Sequence, residues 1–522
     1  MHAPIATLPP ELLRQVFLAR HRTWIVSEDD SSDLPGLTAS HVCSAWRVVA
    51  LDISELWSLI EIRDFGRHTQ QYVAELVRRS GPHLLEVDVS GGDGAEALVR
   101  RIGRVLSTAA RRIRRFSAEQ LPPSLLDALV TETFARGAVA AALEELTLHP
   151  SEQDADEGLS EAASAVLSEP GRFPALARLA VAYLPVQVCT SLARDGLTVL
   201  SFTHGAFPEA TREGLLALLA NSPRLEHLAI QRDVALGTLP GEDFQLPSRP
   251  ATVHLPHLKT LSLAYLSRSC TWLFLQSLVY PEDASVGLLS HLDWPVPHDA
   301  LSDSFRDTIS RVADLSLYIV YREHASCADT FDCTVLLEGL DAARRNVLAA
   351  GWKRTLYLPP GEDPPLQAHT ADLPPGSLHF AHARSCTVRL RLADGVPPFT
   401  REHWADVLGG LPQLRALCAT LECAGRYRAW PGAELCYALA APAGKDADAL
   451  CPRLERLGLC FGPRSHAESE WAAQAVSRFL GGRGLREVGA DPLTRQCLLQ
   501  YGWGARARVW DDETRFAHPG LE

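Results

Sequence analysis

Residues 143–148 read LEELTL, and this short phrase is a clear copy of the pattern from which the fold can be predicted. The pattern is Leu-x-x-Leu-x-Leu, and close variants of it stand at residues 176–181, 197–202, 225–230, 258–263 and 454–459. Alternating apolar residues place one face of a short strand in a core, and the leading leucine fills the turn before that strand. The recurrence therefore predicts an array of repeated units, each of which buries its apolar face against its neighbours.

Weaker copies of the phrase extend the array in both directions along the chain. They begin at Leu84, Ile113, Leu289, Val312, Leu414 and Leu485, and two further copies lie near Lys353 and Thr387. The mean spacing from Leu84 to Leu485 is about 31 residues, just above the range of about 20–29 residues that is typical of leucine-rich repeats. The spacing favours an irregular leucine-rich array over one with a fixed period.

Helical segments separate the strands. Thr211 can cap a helix through Leu215–Leu219, and similar signals follow Thr400 and Ser465. We therefore expect an α/β fold with a leucine-rich-repeat solenoid, or horseshoe, over residues 66–522. A proline-rich segment at 359–376 is expected to interrupt it as a surface loop or joint. The alternative is a set of unrelated α/β domains whose strands are leucine-rich.

The turns of this array cannot rely on the asparagine ladder found in many leucine-rich repeats. The chain has only two asparagines, Asn221 and Asn346. We therefore expect helices and irregular loops to close the turns.

Composition limits the class of protein. With 522 residues, 46% of them hydrophobic and 22% charged, the chain can bury a large core and is not wholly disordered. Its formal net charge of −13 disfavours nucleic acid and anionic membranes as partners. We see no secretory signal and no apolar run near the roughly 20 residues that span a bilayer. Twelve scattered cysteines without a Cys-x-x-Cys motif favour a reduced cytoplasmic or nuclear compartment.

Residues 1–65 differ from the array and predict three short helices. The first begins near Leu8-Pro9, and its apolar face contains Leu12, Leu13, Val16 and Phe17. The second carries Val42, Cys43, Trp46 and Val49, and a third apolar stripe contains Ile53, Leu56, Trp57 and Ile60. An acidic stretch at 27–33 is expected to form a solvated loop between the first two. Because about 60 residues lie near the lower size limit for independent stability, we expect these helices to pack against a partner or the array.

The order Leu-Pro-Pro-Glu-Leu-Leu, Val-Phe, Val42-Cys43-x-x-Trp46-Arg47 and Leu56-Trp57 resembles an F-box. It is most similar to the F-box-like domains that are abundant in mushroom-forming fungi, and the resemblance covers about residues 6–62. The insertion at 27–35 departs from the family by lengthening the connection between the first two helices.

The resemblance implies a substrate-receptor adaptor of a Skp–cullin–F-box ubiquitin ligase. The N-terminal helices would bind the Skp-type adaptor, and through it a cullin, while the repeat array would capture an unknown protein substrate. One docking face would then consist of Leu8, Pro9, Leu12, Leu13, Val16 and Phe17, and a second of Val42, Cys43 and Trp46. The alternative is a leucine-rich interaction scaffold without a role in ubiquitination, in which Trp46 and Trp57 form the core of a helical cap on the array.

Signals for catalysis are weak, and we expect no catalytic, cofactor-binding or metal site. Gly91-Gly92-Asp93-Gly94 lacks the spacing of a dinucleotide-binding turn and is better explained as a tight turn. His466-x-Glu468 lacks the cysteines of a zinc deaminase, and the glutamate fits a helix capping box. The pairs His254 with His257 and His379 with His382 lack identifiable further ligands.

One polar cluster stands out. Seven arginines lie within residues 100–115 and no acidic residue lies among them. The favoured interpretation is a solvated outer helix and its turn. The sharper hypothesis is a binding patch for an acidic or phosphorylated segment, formed by Arg111, Arg112, Arg114 and Arg115, because guanidinium groups bind such anions bidentately.

Overall fold

A computed structural model describes residues 8–26, 35–91, 94–134, 139–151, 159–183, 186–192, 195–203, 209–231, 252–266, 268–290, 302–323, 330–357, 380–392, 401–423, 431–440, 450–461, 466–480, 485–490, 492–500 and 508–511. The chain divides into two compact units, Met1–Asp233 and Val234–Glu522. The expected domain boundary at residue 65 lies inside the first unit. The acidic stretch 27–33 and the proline-rich segment 359–376 lie outside the described residues.

Helices alternate with strands over residues 59–231, as the sequence predicts, and less regularly in the second unit. The described α-helices are α1 Pro10–Val26, α2 Pro35–Val42, α3 Ser44–Asp52, α4 Thr69–Arg79, α5 Glu96–Ser107, α6 Pro123–Thr133, α7 Glu161–Leu167, α8 Val186–Leu192, α9 Glu209–Ala220, α10 Arg268–Ser277, α11 Asp303–Ser310, α12 Arg401–Gly409, α13 Pro431–Ala440, α14 His466–Leu480 and α15 Pro492–Gln500. Short 3-10 helices span Ser54–Trp57 and Ala110–Arg112. None of the described helices is long and apolar enough to cross a membrane.

The described strands are β1 Leu59–Ile62, β2 Leu85–Ser90, β3 Ile113–Leu121, β4 Glu145–Pro150, β5 Arg178–Ala182, β6 Val199–Thr203, β7 His227–Gln231, β8 Val253–His254, β9 Thr260–Ala264, β10 Leu278–Val279, β11 Ser285–Ser290, β12 Asp314–Glu323, β13 Thr330–Leu340, β14 Asn346–Tyr357, β15 Ser385–Leu392, β16 Ala416–Cys423, β17 Arg456–Phe461, β18 Glu487–Ala490 and β19 Arg508–Asp511. Most of their pairings are parallel, so the expected α/β class is confirmed.

In the first unit, strands β1 to β7 pair in sequence order and all in parallel. The repeated leucines lie in register: Leu146 pairs with Leu179, Leu179 with Leu200, and Leu200 with Leu228. All four of these leucines are buried. The leading leucines Leu143, Leu176, Leu197 and Leu225 are buried as well. Each copy of the phrase therefore contributes one strand to the sheet and three side chains to its core.

The turns before these strands are closed by the main chain. The N–H of Leu143 donates to the carbonyl of Ala140, and the N–H groups of Leu225 and Leu454 make the same three-residue turn in their own repeats. Successive turns are also joined, because the N–H of Ala177 donates to Glu144 and that of Glu226 donates to the carbonyl of Thr198. Backbone hydrogen bonds thus close these turns and link them to one another, a role that asparagine side chains have in many leucine-rich repeats.

Three of the predicted positions need correction. In β2 the buried residues are Leu85, Val87 and Val89, whereas Leu84, just before the strand, is out of phase with them and exposed. Leu289 lies inside β11 and does not start a copy, since Val286 and Leu288 are the buried residues of that strand. Thr211 lies within the first turn of α9, which begins at Glu209.

The sheet of the second unit departs from a simple array. Its order is β9–β11–β14–β13–β12–β15–β16–β17–β18–β19. Strand β13 is antiparallel to both neighbours, and all other pairings in this sheet are parallel. The repeated phrase did not indicate this insertion, because residues 330–340 lack the leading leucine turn. Strands β8 and β10 form a separate parallel pair.

The N-terminal segment also differs in detail from the prediction. The expected second helix is broken at Cys43, whose backbone is extended, so that α2 and α3 are separate. The third apolar stripe is a 3-10 helix over Ser54–Trp57 followed by strand β1. Ile53, Leu56, Trp57 and Ile60 are all buried, so the stripe was correctly assigned to the core although its structure was not.

Candidate functional site

Helix α1 has one buried face and one exposed apolar face. Leu13 and Phe17 are buried, and Leu8 is half-buried. Leu12 and Val16, one helical turn apart, are 46% and 45% exposed, and Pro9 is exposed beside them. The residues expected to form the first docking face are therefore divided between core and surface.

Trp46 belongs to the core side of this arrangement. Its ring lies 4.9 Å from that of Phe17 in an edge-to-face contact, and it is half-buried. Cys43 is exposed and caps α3, because its sulfur accepts the Trp46 N–H at 3.5 Å. Cys43 thus fixes the start of α3, and Trp46 packs α3 against α1.

Helices α2 and α3 carry exposed apolar residues of their own. Val42 is 56% exposed and Val48 is 70% exposed, and Leu51 is also exposed. Val48 and Leu51 were missed in the sequence analysis, which followed only the stripe through Trp46 and Val49. The signal was present, since an amphipathic surface helix needs one apolar stripe and α3 has apolar residues on both sides.

We call Leu12, Val16, Val42, Val48 and Leu51 the N-terminal apolar surface. These five are half of the ten large hydrophobic side chains that are exposed in the part of the chain that the structure describes. They fall within 40 consecutive residues, whereas the other five are scattered along the remaining sequence. The N-terminal helices therefore expose more large apolar side chains than any other stretch of similar length among the described residues.

The N-terminal helices are firmly joined to the segment that leads into the sheet. The indole N–H of Trp57 donates to the carbonyl of Ala50 at the end of α3, at 3.0 Å. The Arg79 guanidinium lies 4.6 Å from the centre of the Trp57 ring. Helix α2 approaches closely at Gly36, where an added Cβ would lie 3.0 Å from the Leu56 carbonyl oxygen. The exposed apolar side chains are therefore held on a packed scaffold.

Exposed charged residues link the helices that carry this surface. Arg14 and Asp52 approach each other at 3.8 Å and link α1 to the end of α3. The Arg47 Nε donates to the Ser40 carbonyl at 2.8 Å and joins α3 to α2. Because an exposed ion pair contributes little, about 0–1 kcal/mol, the free energy available to a partner here comes mainly from apolar burial.

The arginine cluster is largely neutralised within the fold. Arg114 pairs with Glu86, Arg115 lies 3.5 Å from Glu145, and Arg100 and Arg104 share Glu132. Arg112 donates to the carbonyl oxygens of Val77 and His83 at the end of α4, and burial lowers its pKa. Among the four residues of the expected acidic-ligand patch, Arg111 alone makes no ion pair or hydrogen bond with a described residue. The sequence around the arginines does not reveal these ion pairs, because Glu86, Glu132 and Glu145 lie about 30 residues away from their partners along the chain.

The described cysteines are free thiols, and most are buried. Burial raises the pKa of Cys189 and of Cys436 to about 12, and it raises the pKa of Cys386 further. Such thiols stay protonated near neutral pH and are poor nucleophiles. Within the described ranges, no group of three or more His, Cys, Asp or Glu residues is placed to hold a metal ion.

Comparison with known proteins adds no family. No protein-family model matches the chain, and no curated protein is significantly similar to it.

Proposed function

We propose that the chain is a substrate-receptor adaptor of a Skp–cullin–F-box type ubiquitin ligase. The N-terminal helices, as an F-box-like module, bind the Skp-type adaptor, and the leucine-rich solenoid binds a target protein. The mechanism is positional, because holding both proteins on one chain raises their effective concentration.

The single observation that carries the proposal is the N-terminal apolar surface. Val42, Val48 and Leu12 are 56%, 70% and 46% exposed, so burying the rest of each side chain would contribute about 1–2 kcal/mol. In the sheets, by contrast, the repeated leucines such as Leu146 and Leu179 are fully buried. Three of the five residues of the N-terminal apolar surface, Leu12, Val16 and Val42, belong to the sequence that resembles an F-box, which supports binding of a partner at this surface.

The test is direct binding of the full-length chain to a purified Skp-type adaptor by calorimetry. We expect the double variant Leu12→Ser, Val48→Ser to weaken binding by more than about tenfold, because two partly buried apolar contacts are lost. The matched control is Leu84→Ser, which replaces an equally exposed leucine (46%) in the same unit but outside the module. Absence of binding by the unaltered chain, or equal binding by the double variant, would refute the proposal.

The second candidate is a leucine-rich scaffold with no role in ubiquitination. It is favoured by the packing of α1–α3 around the 3-10 helix that leads into β1, with Trp57 at its centre. On this alternative the helices cap the first unit and need no adaptor. A chain that fails to bind the adaptor, but is destabilised when Trp57 is replaced by Ala, would support the scaffold.

A further inference from the structure

The open face of the second-unit sheet carries an apolar strip at the antiparallel insertion. In β13 the side chains of Val335 and Leu337 are buried, so Leu336 points to the opposite face, where it is 41% exposed. Leu336 pairs with Tyr318 of β12 on one side and with Gly351 of β14 on the other, and Gly351 pairs with Leu289 of β11. The strip thus crosses four adjacent strands.

Gly351 brings the two leucines of this strip together. A Cβ built on Gly351 would lie 2.8 Å from Cδ1 of Leu289 and 2.9 Å from Cδ2 of Leu336. Both methyl groups therefore converge over the glycine and form one continuous apolar ridge. The ridge is a product of strand order, because Leu289 and Leu336 become near neighbours only when β14 is placed between β11 and β13.

A half-buried carboxylate lies next to this ridge. Glu338 is on the same face of β13 as Leu336 and pairs with Ser316 and Ala349, which are both small. The nearby Asp314 carboxylate forms an ion pair with Arg344, at 3.7 Å, and accepts a hydrogen bond from the Ser385 hydroxyl. Glu338, in contrast, has no ion pair or hydrogen bond with a described residue. Its carboxylate can therefore accept a hydrogen bond from a cation that approaches from outside.

We propose that this face binds an extended peptide segment of a target protein in which a lysine or arginine stands two residues from a large apolar side chain. Leu336 and Glu338 are two residues apart on one strand, a separation of about 7 Å. Residues i and i+2 of an extended peptide project to one side with the same spacing, so the apolar side chain covers the ridge while the cation meets Glu338. The net charge of −13 also favours a basic partner.

The inference deepens the proposed function, since it names the class of target that the array binds. Its test uses the full-length chain and three synthetic decapeptides with a central Lys-x-Leu, Glu-x-Leu or Lys-x-Ser, each followed by fluorescence anisotropy. We expect the Lys-x-Leu peptide to bind at least about tenfold more tightly than the other two, because a hydrogen bond to a charged group and an apolar contact are both required. No Skp-type adaptor is present, so failure here and failure of adaptor binding are distinguishable.

Variants of the chain complete the test. Glu338→Gln and Leu336→Ser should each weaken Lys-x-Leu binding by about tenfold. The matched control Leu499→Ser alters a leucine of α15 in the same unit that is 47% exposed, and it should have no effect. Equal affinity for the three peptides would overturn the proposal. Arg389 of β15 pairs with Tyr318 beside the ridge and is exposed, so tighter Glu-x-Leu binding that is lost in Arg389→Gln would overturn it as well. So would a dimer of the chain that dissociates in Leu336→Ser, because a second copy would then occupy the face.

Discussion

The sheet strands and the N-terminal helices use their apolar residues in opposite ways. In the first unit, Leu146, Leu179 and Leu200 stack in register and are fully buried between neighbouring repeats. In the helices, Leu13 and Phe17 are buried while Leu12 and Val16 on the same helix stay exposed. The apolar face of a repeat unit is buried against the next unit, whereas the helices leave Leu12 and Val16 exposed, where we propose that a partner binds. Buried apolar residues thus stabilise the fold, whereas we propose that the exposed ones of the N-terminal helices bind a partner.

The largest effect should come from the buried side of this comparison. We expect Leu200→Ala to lower the free energy of unfolding of the first unit by about 2–5 kcal/mol, because the change leaves a cavity among packed repeats. Leu12→Ala, on the exposed side, should change it by less than about 0.5 kcal/mol. Urea unfolding of the full-length variants measures both. Similar losses in the two variants would mean that Leu12 is packed, and the comparison would fail.

A second prediction concerns the helix layer of the repeats. Gly103 of α5 lies against α6, and an added Cβ would be 2.7 Å from the Cβ of Glu132. Gly103→Ala should therefore destabilise the first unit by up to about 2 kcal/mol, since overpacking costs about 1–3 kcal/mol and replacing a helical glycine gains about 1 kcal/mol. Thermal unfolding checks the sign. An increase in stability would show that α5 and α6 are less tightly packed than the repeats require.

The smallest effect is expected on the open face of the first sheet. Asp88 lies directly opposite Glu61 across β1 and β2. Burial, and then the charges of Glu119 and Glu61, raise the pKa of Asp88. The folded state therefore binds this proton more tightly than the unfolded chain, so the ionised carboxylate destabilises the fold at neutral pH.

Asp88→Asn should stabilise the first unit by about 0.2–1 kcal/mol at pH 7, because like charges directly opposite in a sheet are destabilising. The advantage should disappear as the pH falls below 3.8, the ordinary pKa of aspartate, where the carboxyl group is neutral in both states. Unfolding measured at pH 7 and pH 3.5 decides this. A destabilised variant at pH 7 would show that the carboxylate has a favourable partner.

The same contrast explains how much the sequence could predict. The phrase beginning at Leu143 predicted a strand and its core side chains, because alternation is a local signal with a physical cause in the pleat. The position of β13 between β12 and β14 was out of reach, since strand order depends on pairings that no local pattern encodes. Leu84 was misassigned because two leucines stand side by side, and it is Leu85 that is in phase with the buried Val87 and Val89.

The candidate sites follow this rule as well. The order of apolar residues indicated Leu12, Val16 and Val42 but not Val48 and Leu51, and only the contact with Phe17 shows that Trp46 lies on the core side. The arginines at 111–115 looked unpaired because Glu86 and Glu145 meet them only after folding. The ridge formed by Leu289 and Leu336 is a pure consequence of tertiary structure. Local signals thus predict what a residue can do, and strand pairing decides which residues meet.

Hydrogen–deuterium exchange of the full-length chain, with and without a Skp-type adaptor, tests the central claim most directly. The claim is that the N-terminal apolar surface is a docking surface for this partner. We expect slower exchange in α1 and α3 when the adaptor is present, while α5, which lies in the same unit, should be unchanged. No change in α1 and α3 at saturating adaptor, or protection confined to the repeats, would contradict the claim.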